Sequence, residues 1–256
     1  MRGAYLIKSA DEIARIRKAG RILARVLKTC AEAVEPNRTT GAELNALAEQ
    51  LVLEMGGFPA FKGYRLYPAS LCVSINETIV HGLPDNRVLR RVLREGDLVS
   101  LDMGVFYEGY CADAALTLTV GRVDYQRKRL VRVTEEAFYE ALKVARPGNT
   151  IGDIGAAIQH YVEPFGFHPA RGLAGHGVGR YVHEPPEVPN EGEPGEGPRL
   201  QPGMVLAIEP MIVMGSPEVE VADDGWAIIT ADRQPASHYE HTVVITENGA
   251  EILTIE

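Results

Sequence analysis

Apolar positions fall at helical spacing at the start of the chain. Ile13, Ile16, Ala19, Ile22, Leu23, Val26 and Leu27 line one face, and Ser9-Ala-Asp-Glu12 just ahead of them has the spacing of a capping box. This predicts a helix running to about Val34 and stopping before Pro36. Thr40-Gly-Ala-Glu43 opens a second helix carrying Leu44, Leu47, Ala48, Leu51 and Val52, and Gly56-Gly57 ends it. The period then changes. From Leu71 to Val80 and from Leu98 to Val120 the residues are β-branched and aromatic, with turn signals at Pro84-Asp85-Asn86 and Glu108-Gly109, which predicts antiparallel strands. Helices follow at about Tyr125 to Ala145 and Ile151 to Phe165. The glycine- and proline-rich stretch Gly172 to Pro202 reads as largely loop, and strands at Met204 to Ile208, Ala227 to Thr230 and His241 to Ile245 finish the pattern.

The pattern also repeats. Pro36-(x4)-Gly41-Ala-Glu-Leu44, ending in Gly57-Phe-Pro-Ala60, resembles Pro147-(x4)-Gly152-Asp-Ile-Gly155, ending in Phe167-His-Pro-Ala170. Gly96-Asp-Leu-Val-Ser-Leu-Asp102 likewise resembles Gly203-Met-Val-Leu-Ala-Ile-Glu209. Each copy sets a carboxylate six residues after a glycine, at the end of an apolar strand. A site on the pseudo-two-fold axis of two such halves would gather carboxylates from both.

Composition narrows the class. At 256 residues and 45% hydrophobic, the chain is long enough for a large core. One catalytic domain over 1–256 is expected, with an N-terminal half of about 1–124 and a C-terminal half of about 125–256. No stretch near Met1 to Ser9 is apolar enough for a signal segment or membrane span. Cys30, Cys72 and Cys111 cannot all pair and form no C-x-x-C, so a cytoplasmic location fits better than an oxidising one. A net charge of -9 argues against a nucleic-acid surface, and the basic run Arg87 to Arg94 reads as a solvated loop or strand flank.

Four acidic residues stand beside apolar strands: Asp102 after Leu98-Val-Ser-Leu101, Asp113 beyond the Glu108-Gly109 turn, Glu209 before Pro210, and Glu240 before Thr242-Val-Val244. If the two strands around Glu108-Gly109 pair so that residue numbers sum to 215 or 217, Asp113 lies opposite or diagonal to Asp102 on one face. A sum of 216 separates them, and a pair of exposed turn aspartates is the plainer alternative. Buried carboxylates that close repel unless a cation or proton lies between them. His81, His176 and His183 add imidazoles, each also readable as a structural hydrogen-bonder. Four carboxylates and a histidine without cysteine form a ligand set suited to Mn, Fe, Co or Zn.

Six segments then align with a known family: His81-Gly, Ser100-Leu-Asp-Met-Gly104, Gly109-Tyr-Cys-Ala-Asp113, Gly175-His-Gly-Val-Gly-Arg180, Ile208-Glu-Pro210 and Tyr239-Glu-His-Thr242. Together, in order and across essentially the whole chain, they resemble the type I methionine aminopeptidases in their compact bacterial form. The resemblance implies an α+β pita-bread fold, two related halves around a central antiparallel sheet. It implies two divalent metal ions (Co, Mn, Fe or Zn) held by Asp102, Asp113, His176, Glu209 and Glu240, with Asp113 and Glu240 bridging. His81 and His183 become catalytic histidines and Glu209 a proton shuttle. Phe61, Tyr64, Tyr67, Cys72 and Trp226, with His81, would wall the methionine side-chain pocket. The implied substrate is the N-terminal peptide of nascent proteins, cleaved by a monomer near the ribosomal exit. Phe61 departs from the family, standing where a small residue is frequent, and Val182 replaces a frequent phenylalanine. Val88-Leu-Arg90-Arg91-Val92-Leu-Arg94 looks like a short surface insertion.

Two rival readings share the fold. An Xaa-Pro peptidase would usually carry a substantial N-terminal domain, whereas the first helix here begins by about Ala10. A metal-free binding protein of this fold should lack one or more ligands, and all five are present.

Overall fold

Ser9 starts the first helix as its spacing predicts: its hydroxyl accepts from the Glu12 N–H, and the Glu12 carboxylate accepts from the Ser9 N–H. This computed structural model describes residues 7–84 and 92–256. Helix α1 spans Ala10–Glu32 and α2 spans Gly41–Glu54, the latter opened by the same reciprocal box between Thr40 and Glu43. Short strands β1 (Phe58–Pro59), β2 (Cys72–Ile75) and β3 (Thr78–Val80) lead to the long hairpin β4 (Leu98–Tyr107) and β5 (Tyr110–Thr119). At its tip Glu108 and Gly109 both have positive φ, 48° and 80°, the backbone of a tight hairpin turn.

The second half repeats the order. Helices α3 (Tyr125–Val144) and α4 (Ile151–Val162) are capped by Asp124 and by a Thr150/Asp153 box. They precede β6 (His168–Pro169), β7 (Ala174–Gly177), β8 (Glu184–Pro189), β9 (Val205–Ile208), β10 (Met211–Val213), β11 (Val219–Val221), β12 (Ile228–Thr230), β13 (Ala236–His238), β14 (Glu240–Thr246) and β15 (Gly249–Ile252). Phe58-Pro59 and His168-Pro169, matched in the sequence copies, both form two-residue strands after a helix, against β4 and β10 respectively.

The main sheet runs β1-β4-β5-β14-β9-β7-β8, with β2 also on β4 and β15 on β14, and these pairs are antiparallel. The two halves meet where β5 pairs β14. Alternation along β4 sorts its side chains: Val99, Leu101, Met103 and Val105 join the core under α1 and α2, which leaves Ser100 and Asp102 on the opposite face. A second core gathers Phe138 and Ile154 of the later helices with Leu206, Ile208 and Val243. No helix among the described residues is long and apolar enough to cross a membrane.

Three expectations need correcting. The stretch Gly172 to Pro202 is not largely loop, since β7 and β8 lie within it and extend the sheet. Asp102 does not end its strand; β4 continues to Tyr107, so the carboxylate sits mid-strand. Of the Arg87 to Arg94 run and the Pro84-Asp85-Asn86 turn, residues 85–91 lie outside the described residues. Of the described part, Leu93 is fully buried in the first core while Arg94 is exposed, so the run is solvated at its arginine and anchored at its leucine.

Candidate metal centre

Strands β4 and β5 adopt the 217 register: Asp102 opposes Ala115 and Gly104 opposes Asp113, so the two aspartates are diagonal neighbours on one face. Ala115 is also opposed by Glu240 from the far side, on β14. Thr242, two residues along β14, accepts the Asp113 N–H at 2.8 Å and donates its hydroxyl to the Asp113 carbonyl at 2.8 Å. The same Thr242 opposes Ala207 on β9, and Ala207 opposes His176 on β7. Glu209 follows one residue after β9 ends and Pro210 follows it. Five side chains from five strands or strand ends are thereby brought together by register alone.

All five are buried, none more than 9% exposed. His176 Nε2 lies 3.5 Å from Glu209 Oε1 and 3.8 Å from Asp113 Oδ2, while its Nδ1 is 2.9 Å from the Gly177 carbonyl. Donation from Nδ1 to that carbonyl leaves the Nε2 lone pair facing the carboxylates. Asp102 Oδ1, Asp113 Oδ1 and Glu240 Oε1 are buried without a hydrogen-bond partner among the described residues. Burial drives the carboxyls of Asp102, Asp113, Glu209 and Glu240 above their ordinary range, and at Asp102, Glu209 and Glu240 the neighbouring carboxylates add repulsion. Such an arrangement is costly for a protein of its own accord and suits divalent cations, whose charge reverses the balance. Oxygen and imidazole donors without thiolate fit hard to borderline ions.

One residue here was not foreseen. His238, at the end of β13, is 1% exposed, and its Nε2 lies 3.4 Å from Glu209 Oε2 and 3.8 Å from Glu240 Oε2. Burial lowers its imidazole to about 3. The available signal was its place two residues before Glu240, which in extended chain gives both the same side.

The cleft above the carboxylates is lined by the remaining candidate site residues, Phe61, Tyr64, Tyr67, Cys72, His81, His183 and Trp226, joined by Arg65, Val80, Leu173 and Met211, whereas Val182 is buried in the first core. Cys72 opposes Asp102 on β2. Tyr67 donates its hydroxyl to the Gly82 carbonyl and meets Trp226 edge to face at 5.4 Å, forming a small apolar cluster with Cys72 and Phe61. The Phe61 ring covers Gly104, where a Cβ would come within 2.9 Å of it. Tyr64 is more than a wall: its ring stacks on His183 at 5.4 Å and its hydroxyl lies 3.1 Å from His183 Nδ1. His183 packs 4.1 Å from the His176 ring, and desolvation by the cleft walls, with repulsion from His176, Arg65 and His81, lowers it to about 3. His81 is held at a positive φ of 58°, a strained backbone that follows β3 and turns the chain at the cleft. Its imidazole is lowered by desolvation and by Arg65.

A family model for metallopeptidase family M24 matches residues 14–247. A Clostridium perfringens protein named methionine aminopeptidase is 47% identical over 250 residues, covering 98% of each chain. A solved methionine aminopeptidase from Thermotoga maritima superposes with a TM-score of 0.94 at 45% identity, covering 98% of this chain and 99% of that one. A prolidase from Pyrococcus furiosus shares the fold more distantly, with a TM-score of 0.80 and 26% identity; this chain spans 67% of its length. The pita-bread fold expected from the sequence is the fold observed, and the chain belongs to metallopeptidase family M24.

Proposed function

We propose that this chain is a methionine aminopeptidase, hydrolysing the first peptide bond of new proteins and releasing initiator methionine when the following residue is small. The observation that carries this reading is the buried cluster of four carboxylates and His176, with unpartnered oxygens, at the floor of an aromatic cleft. Asp102, Asp113, His176, Glu209 and Glu240 would hold two divalent ions, Co, Mn, Fe or Zn, with Asp113 and Glu240 shared between them. When bound, the ions supply Lewis-acid polarisation of the scissile carbonyl and make a water molecule acidic enough to react near neutral pH.

The chain's own groups do the rest. Glu209, lining the floor of the cleft beside His176, is the candidate to accept the water's proton and return it to the leaving amine. His183 is neutral, and when its Nδ1 accepts from the Tyr64 hydroxyl its proton resides on Nε2. That N–H is the donor for the oxygen that gains charge as the carbonyl is attacked. His81, across the cleft, contacts the scissile nitrogen. Phe61, Tyr64, Tyr67, Cys72 and Trp226 enclose the methionine side chain, whose thioether packs well against rings.

The two halves, about 1–124 and 125–256, act as one catalytic domain, since the cluster takes residues from both. The substrate implies work in the cytoplasm beside the ribosomal exit, as a monomer. Cleavage of Met-Ala-Ser and Ala-Pro peptides by the metal-loaded protein tests the reading. Release of methionine from the first supports it; turnover of the proline peptide alone identifies an Xaa-Pro enzyme, and inertness toward both identifies a binding protein.

A further inference from the structure

We infer that His238 is a sixth ligand of the metal centre, binding through Nε2 an ion that it shares with Glu209 and Glu240; this rests on the metal-centre reading above and extends it.

The backbone at His238 is fixed before its side chain is considered. Its N–H donates to the Thr117 hydroxyl at 2.9 Å, that hydroxyl donates back to its carbonyl at 2.8 Å, and Met211 pairs with it across β10. The ring is then held in the interior with both nitrogens lacking a hydrogen-bond partner among the described residues. A buried imidazole with nothing on either nitrogen forfeits hydrogen bonds it had in water, so its position calls for a partner.

Geometry names that partner. His176 reaches Glu209 Oε1 at 3.5 Å and Asp113 Oδ2 at 3.8 Å; His238 reaches Glu209 Oε2 at 3.4 Å and Glu240 Oε2 at 3.8 Å. The two imidazoles therefore stand in the same relation to their carboxylates, one toward each oxygen of Glu209. Donor atoms bound at roughly 2.0–2.2 Å to one ion lie about 2.8–3.6 Å apart at octahedral to tetrahedral angles, a range that holds the Glu209 separation of 3.4 Å and lies just below the 3.8 Å to Glu240. Glu209, His238 and Glu240 each offer one ligand atom within 4.8 Å of the others, and so do Asp113, His176 and Glu240. Glu240 belongs to both groups.

Ligation through Nε2 leaves the ring proton on Nδ1. In the opposite tautomer Nε2–H would face Glu209 as a donor, and His238 would only buttress that carboxylate. At 3.4 Å with no hydrogen bond formed, the buttress is the poorer fit.

The experiment loads chelated protein with Co(II) and measures X-ray absorption fine structure on the intact chain, which needs no variant. Imidazole scattering from two histidines per pair of ions is expected; scattering from one overturns the inference. His238→Gln should halve that signal and weaken Co(II) binding in calorimetry roughly ten- to a hundredfold for one ion. An unchanged spectrum and unchanged affinity in a folded His238→Gln protein overturn the inference while leaving the five-ligand centre standing. If the parent chain takes up no Co(II), the metal-centre reading itself fails, and this inference with it.

Discussion

Asp102 and Glu240 stand opposite the same residue, Ala115, one on either side of β5. One comes from each half of the molecule, and Asp113 lies two residues from their shared partner on the same face. The junction of the halves is thus also a point where buried carboxylates crowd together.

Neutralising one member of that crowd should separate stability from metal binding. Asp102→Asn removes a buried charge, so in chelator the variant should match or exceed the parent in stability. Its uptake of divalent cation should fall. Thermal unfolding with and without chelator, together with elemental analysis, reads both; normal cation occupancy in the variant would remove Asp102 from the ligand set.

The pH dependence of the chelated protein follows from the raised carboxyls of Asp102, Asp113, Glu209 and Glu240. Groups whose folded pKa lies above the unfolded one hold protons that the unfolded chain releases. Their contribution is fully present below the ordinary carboxylate range and is lost as pH rises through the raised values. The histidines His81, His176, His183 and His238, all lowered from 6.5, act in the opposite sense as pH rises to that value, so the loss is read above it. Chelated protein should lose stability on going from pH 7 to pH 8, and added Mn(II) should restore it with release of protons. Denaturant titrations at the two pH values check this, and a rise in stability toward pH 8 in chelator would contradict it.

Glu12 behaves in the opposite sense. The Ser9 N–H, with Tyr110 and Arg180, holds its carboxyl at about 2. Stability from this group is present above its ordinary 4.5 and lost as pH falls through about 2. The parent should exceed Glu12→Gln by about 1–2 kcal/mol near neutral pH, a gap that closes toward pH 2. Unfolding measured on both proteins across that range decides it.

How much of this was legible beforehand differs by element. Ser9, Thr40 and the Glu108-Gly109 turn announce their structures because local hydrogen bonds and backbone preference fix them. Asp102, Asp113, Glu209 and Glu240 stand out because charged residues beside apolar strands need a reason, and His176 stands out only through the glycine-flanked segment that carries the family resemblance. The strands β7 and β8 were hidden because Ala-Gly-His-Gly and Glu-Pro-Pro-Glu-Val-Pro carry no alternating pattern. They are strands through partners distant in sequence, packed so closely that a Cβ on Gly175 would lie 2.3 Å from the Ala207 carbonyl oxygen. Leu93 and His238 are buried for the same kind of reason: tertiary partners, Thr117 among them, decide their surroundings.

Removing the His183 side chain should lower turnover roughly a hundred- to a thousandfold while leaving cation content unchanged, the usual scale for one lost donor to a developing oxyanion. Tyr64→Phe, which deletes only the hydroxyl beside His183 Nδ1, should cost less and leave the ring in the cleft wall. Peptide kinetics on metal-replete proteins test both. Full turnover in His183→Ala would reject the assigned role.

Thr242 binds the two halves beside Asp113 through a hydroxyl that both accepts and donates. Thr242→Val keeps the shape and strands a buried N–H and carbonyl, so a loss of about 2–4 kcal/mol is expected in chelator. Cation affinity should fall as well, because the backbone carrying Asp113 loses its anchor. Unfolding and calorimetry on the same preparation measure the pair of effects.

The central claim is that acidic side chains from both halves coexist in the interior because divalent cations lie among them. Equilibrium dialysis of chelated protein against Mn(II), followed by elemental analysis, tests it most directly. Close to two equivalents bound per chain, falling in Asp102→Asn and in His176→Ala, is the predicted result. Parent protein that emerges without bound cation, yet releases methionine from Met-Ala-Ser at full rate, would contradict it.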